Sequence, residues 1–131
     1  MVFNEMKGYI TTGLFVLVFS LTACGKKTAT EKLALLTKRE NNNFPQRLND
    51  SIVIDSTTFD KVNNTKSYYY TVSRGLDNQL VITGNYVSLY NALKEAVQNS
   101  VEMRDYLNAN STIRYVYYSG STHQQLAEFK F

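Results

Sequence analysis

Hydrophobic positions change their spacing along this chain of 131 residues: one unbroken run near the start, then stripes of helical period, then strict alternation. The alternation is clearest over residues 66–74, Lys-Ser-Tyr-Tyr-Tyr-Thr-Val-Ser-Arg. There Tyr68, Tyr70 and Val72 fall on one face of a strand, and Tyr69, Thr71 and Ser73 on the other. Residues 52–62, with Ile52, Ile54, Phe59 and Val62, also read as extended, and Asn63-Asn64 marks a turn between the two segments, so a β-hairpin is expected. Strands 112–118 and 124–131, joined by Ser119-Gly120-Ser121-Thr122-His123, predict a second hairpin. Helical spacing occurs over residues 30–40, which carry Leu33, Leu35 and Leu36 behind Thr30 as N-cap. Asn41-Asn42-Asn43 ends that helix, and Pro45 biases Phe44 away from helical conformations. From Val87 onward Leu89, Leu93, Ala96 and Val97 share a stripe while Lys94, Glu95 and Gln98 face outward. Ser100 caps a continuation holding Val101, Met103, Tyr106 and Leu107. Residues 75–84 read as a loop, with Leu80-Val81-Ile82 as a short strand inside it. The predicted order is α-β-β-α-β-β, an α+β domain with a small antiparallel sheet of about four strands and helices packed on one face.

The unbroken run is of a different kind. Residues 9–23 contain no charge, and the apolar centre from Leu14 to Leu21 is shorter than the roughly 20 residues a membrane-crossing helix needs. Lys7 precedes it, beside Glu5, and small residues follow it, the pattern of an export signal. Leu21-Thr22-Ala23-Cys24-Gly25 resembles the lipobox of bacterial lipoproteins. The resemblance implies attachment of diacylglycerol to the Cys24 sulfur, cleavage before Cys24 and acylation of the new amino terminus. Two or three acyl chains exceed what stable membrane residence requires. The expected organisation is a cleaved signal at 1–23, a lipidated tether at 24–31 and one α+β domain at 32–131. Gly25 is not the aspartate associated with inner-membrane retention, so the outer membrane is the preferred destination in the cell envelope.

Composition narrows the chemistry. Charged residues make up 19% and the net charge is only +3, too little and too dispersed to indicate a nucleic-acid partner. One cysteine and one histidine leave neither an intrachain disulfide nor a Cys/His metal set, and no metal or other cofactor is expected. Lys26, Lys27, Lys32, Lys38 and Arg39 make the start of the mature chain basic, which reads first as a solvated linker and helix face and second as an attraction to anionic headgroups. His123 lies among Ser119, Ser121 and Thr122 in a hairpin loop, without a Gly-x-Ser-x-Gly elbow, and reads as a turn histidine. Asp50, Asp55 and Asp60 do not have the alternate spacing of a calcium loop. The chain has ten tyrosines and no tryptophan. Tyr69, Tyr115, Tyr117 and Tyr118 are the candidate binding platform for a glycan or peptide, since tyrosine joins an apolar ring to a polar tip. Packing of the same residues into the core and over the sheet is the competing expectation.

Phe44-Pro45 with Leu48, the run Ile52-Val53-Ile54-Asp55, Tyr70-Thr71-Val72 and Ile113-Arg114-Tyr115-Val116-Tyr117 resemble a loose group of small exported bacterial α+β proteins, over about residues 44–131. Members of that group often carry a cysteine pair pinning helix to sheet, which this chain lacks, and the resemblance brings no catalytic residue with it. The function expected is that of a non-enzymatic envelope module, held to the membrane by the lipid on Cys24 and binding another protein or an envelope polymer. The alternatives are a secretion-pilot or assembly-factor lipoprotein and a small envelope hydrolase.

Overall fold

The computed structural model describes residues 25–131, so the signal segment and the lipobox residues Leu21, Thr22, Ala23 and Cys24 lie outside the described residues. Helix α1 (Ala29–Glu40) starts from a reciprocal cap at Thr28. The Thr28 hydroxyl accepts from the Glu31 N–H at 3.2 Å, and the Glu31 carboxylate accepts from the Thr28 N–H at 3.0 Å. The cap is therefore Thr28 rather than Thr30, and Ala29 to Glu31 belong to the helix instead of the tether. Lys38 and Arg39 in the last turn complement the helix dipole.

A 3-10 turn at Asn41–Asn43 leads into the first of five strands: β1 (Gln46–Asn49), β2 (Ile52–Asp60), β3 (Thr65–Val72), β4 (Thr112–Ser119) and β5 (Gln125–Lys130). They lie in one sheet in sequence order. The α+β class holds, with corrections to the expected sheet. β1 was not expected, because its four residues are all exposed and show no hydrophobic pattern. It forms by backbone pairing with Ile52–Ile54 alone. The sheet is also not wholly antiparallel: β3 and β4 run parallel, from Thr65 beside Thr112 to Val72 beside Ser119. The reason is the connection. After β3 the chain passes through α2 (Gln79–Gly84), α3 (Tyr86–Asn99) and α4 (Arg104–Asn108), which carry it back along the sheet to the edge where β3 began.

Leu80-Val81-Ile82 lies in α2 and not in a strand. The Asn78 side chain accepts from the Leu80 N–H at 2.9 Å, which starts a helix where a short apolar run is ambiguous between the two states. Ser100 closes α3 rather than opening α4, and Val62 sits in the β2–β3 turn, 93% exposed. Asn64 anchors that turn with a left-handed φ of 48°. Its amide donates to Ala109 O at 2.8 Å and its side-chain oxygen accepts from Ser111, placing the start of β4 beside β3.

One sheet face carries the core. Tyr68, Tyr70, Ile113, Tyr115, Ala127 and Phe129 meet Leu33, Ile82, Val97, Met103 and Tyr106 from the helical segments. Lys66 shares that face and is fully buried. Its ammonium pairs with Glu40, donates to the Thr37 hydroxyl at 3.0 Å, and lies 4.9 Å from the ring centres of both Tyr68 and Tyr106. Glu40 also accepts from the Tyr68 hydroxyl at 3.0 Å. Burial pushes the Lys66 ammonium below its ordinary range, opposed by the Glu40 carboxylate. This ion pair ties α1 to the sheet.

Candidate functional site

The helical stripe of α3 is longer than the surface that covers it. Tyr86 stacks on Phe129 at 4.7 Å and Tyr90 packs on Phe131 at 4.9 Å, which fastens α3 along β5. Two side chains cover outward carbonyls of that edge strand: Gln79 donates to Leu126 O at 3.1 Å and Tyr86 donates to Glu128 O at 3.2 Å. Further inward, α3 stands off the sheet. Val97 is buried, but Leu89 and Leu93 are only half-buried and Ala92 and Ala96 are exposed.

The gap is an apolar cleft of about 420 Å³. Ile52, Val72, Tyr117 and Phe129 form the sheet wall, with Leu89 and Leu93 opposite. Asn85 and Ser88 supply polar atoms, and no charged side chain lines it. Burial pushes the Tyr117 hydroxyl up to about 12, so the phenol in this wall is neutral at any physiological pH. The volume lies within the range of about 300–1,000 Å³ typical of small-ligand sites. Beside the cleft, Leu80 is 81% and Val87 71% exposed, extending the apolar surface over the α2–α3 corner. The arrangement suits capture of uncharged apolar groups.

The four tyrosines expected to form one platform are divided between the sheet faces. Tyr69 and Tyr118 lie together on the face turned away from the core, their rings stacked 6.5 Å apart. Tyr115 is buried among the helices, where burial pushes its hydroxyl upward, and Tyr117 lines the cleft. The sequence signal for the cleft was present in Leu89 and Leu93, but periodicity alone places them in a sealed core. Ile52, Val72 and Phe129 carried no signal of their own as wall residues.

The other candidates for chemistry have structural positions. His123 is exposed at the hairpin tip with φ 60°, its N–H donating to Ser119 O at 2.9 Å. Asp77 accepts from the Ser121 N–H at 3.0 Å and from its hydroxyl at 2.7 Å. The hydroxyls of Ser119 and Ser121 hold the Asp77 carboxyl below its ordinary range. Asp50 lies 3.5 Å from Arg74, Asp55 accepts from the Thr71 hydroxyl at 2.7 Å, and Asp60 accepts from the N–H groups of Val62 and Asn63. Among the described residues no group of three or more His, Cys, Asp or Glu is placed to hold a metal ion, and no helix is long and apolar enough to cross a membrane.

Residues 27–127 match the family described as a domain of unknown function, DUF8479. The chain belongs to that family. The fold has a counterpart in the crystal structure of a Pseudomonas aeruginosa protein described as secreted, with a TM-score of 0.69 and 18% identity, covering 79% of this chain and 88% of that one. At that identity the likeness shows the fold alone. No curated protein matches the chain. For this DUF8479 member, the physical character of its surfaces is the guide to function.

Proposed function

We propose that this chain is an exported, lipid-anchored, non-enzymatic binding module of the cell envelope, whose protein partner inserts apolar side chains into the cleft beneath α3. The observation that carries the reading is the unsealed apolar stripe of α3 facing Ile52, Val72 and Tyr117 across about 420 Å³. An apolar surface left accessible in a folded domain is a marker of an interaction site. Export and anchoring are supported by the uncharged run at residues 9–23 and the Leu21 to Cys24 lipobox, and export also by the fold it shares with a protein described as secreted. The outer membrane remains the preferred destination, from Gly25. A pilot or assembly-factor role is the variant of this reading in which the partner is escorted to that membrane. The hydrolase alternative has no comparable support, because the serines and Asp77 near His123 are engaged in holding the hairpin turn.

The test uses the full chain in intact cells, with photoreactive benzoylphenylalanine replacing Ala92 in the cleft. Irradiation should give a discrete protein adduct, lost when Leu89→Asp is added and absent when the probe replaces Lys61 in the β2–β3 turn. No adduct from position 92 in a chain present at normal level overturns the cleft reading. In the same cells a labelled lipid precursor should mark the wild-type chain and not Cys24→Ser. Equal labelling of both overturns the anchor.

A further inference from the structure

The sheet face turned away from the helices has its own organisation, independent of the cleft. Strand alternation and register place Thr58, Ser67, Tyr69, Thr112, Arg114, Val116 and Tyr118 on it. Among the described residues the helices pack on the opposite face. Along the first half of β3 and β4 this surface forms a groove of about 550 Å³. Hydroxyls of Thr58, Thr65, Ser67 and Thr112 line it. Towards the other end of the strands stand the stacked rings of Tyr69 and Tyr118, inclined by 27° and half-buried. Val116, fully buried, lies directly across from Tyr69 in the strand register.

The charges bordering the groove are engaged within the protein. Arg114 pairs with Glu128, Lys130 lies 3.6 Å from the same carboxylate, and the Asn63 amide and N–H donate to Asp60. The formal charges of Asp60, Arg114, Glu128 and Lys130 cancel. A polyanion would need unpaired cations in the groove. An added peptide strand would need a free sheet edge, and this surface is a face. Paired rings beside a hydroxyl-lined, charge-compensated groove match a ligand that alternates apolar C–H faces with neutral hydroxyls.

We propose that this face binds an uncharged glycan chain lying along β3 and β4, with one sugar ring packed on Tyr69 and Tyr118 and the following sugars hydrogen-bonded in the groove.

The experiment uses the full chain in micelles of an uncharged non-glycosidic detergent, titrated with neutral hexasaccharides of β-1,4 N-acetylglucosamine, α-1,4 glucose and β-1,3 glucose, and with dextran sulfate. Binding is read by titration calorimetry, because the intrinsic fluorescence of this tryptophan-free chain sums over ten tyrosines, of which the platform contributes only Tyr69 and Tyr118. At least one neutral hexasaccharide should bind at millimolar concentration or below. Tyr118→Leu should weaken it about fivefold, the scale of one lost aromatic contact, while Tyr118→Phe retains it. Circular dichroism of Tyr118→Leu establishes that the variant is folded, and Tyr69→Leu provides the same comparison should it not be. Absence of binding by all three neutral sugars, tighter binding of dextran sulfate than of any of them, or equal affinity in folded Tyr→Leu variants overturns the proposal.

Discussion

Gly120 is where a single side chain meets the least room. A Cβ at this position would lie 2.9 Å from Val72 O, a backbone atom, because the Gly120 N–H donates to that same carbonyl at 2.8 Å. Its small size, and not a left-handed backbone, is what the site requires. Gly120→Ala should lower stability by about 1–3 kcal/mol, the usual cost of an added carbon in a packed site, measurable by urea titration. Lys66 and Glu40 make a second residue-scale case. The ammonium is fully buried and the Glu40 side chain is partly exposed, so the pair is asymmetric. Lys66→Met should be close to neutral, since it removes the desolvated charge together with its partner's task. Glu40→Ala leaves that charge in place and should cost about 1–3 kcal/mol, reduced from the fully buried case because solvent reaches position 40. A larger loss from Lys66→Met than from Glu40→Ala would contradict this account.

Among the elements, α1 depends on its cap and its anchor together. The reciprocal Thr28 and Glu31 bonds satisfy N–H groups that have no partner within the helix. Thr28→Ala should cost about 1 kcal/mol and speed amide hydrogen exchange in the first turn, with little change at Thr37. Thr37 is protected from the other end: it is buried and its hydroxyl lies 2.8 Å from that of Tyr106. Lys66, Glu40 and Thr37 join this helix to the sheet without a covalent link. The element α3 is different, held by Tyr86 and Tyr90 against the β5 side while its aliphatic stripe remains open. It is fastened along one flank, which is what leaves the cleft.

For the whole molecule, the tyrosine core sets the response to alkali. Burial raises the hydroxyls of Tyr68, Tyr70 and Tyr115 above the ordinary range, and that of Tyr117 to about 12. The folded state keeps these protons where the unfolded chain has lost them, so their stabilisation is complete below about pH 10 and declines as pH rises towards the folded values. Lys66 acts in the opposite sense: its pKa is lowered, so its cost is relieved as pH rises towards about 10.4, where the unfolded lysine titrates. Above that point only the tyrosine effect continues. Stability from urea titrations should therefore fall steeply above about pH 10.5, and the share of tyrosinate absorbance that belongs to Tyr68, Tyr70, Tyr115 and Tyr117 should rise only together with loss of far-ultraviolet circular dichroism. Tyrosinate absorbance from every ring of the chain, reached ahead of unfolding, would show that these four rings are not sealed.

Local pattern determined what depends on neighbours in sequence. The alternation at Tyr68 to Val72 identified β3 and separated its two side-chain rows, and the spacing of Leu89, Leu93 and Val97 identified α3. The uncharged run and Leu21 to Cys24 supplied the expected address. What needs partners distant in sequence was decided by the tertiary structure. β1 exists only because Ile52–Ile54 offers it backbone groups, and β4 lies parallel to β3 because residues 73–111 return the chain to the starting edge. Lys66 alternates in register with Tyr68 and Tyr70 and so is carried into the core, where Glu40 and Thr37 from α1 receive it. The same constraint sends Tyr115 and Tyr117 under the helices and Tyr118 to the open face. A strand's sequence specifies that its side chains alternate; which row is covered depends on the helices that reach the sheet, and here they cover one row and leave Tyr69 and Tyr118 on the other.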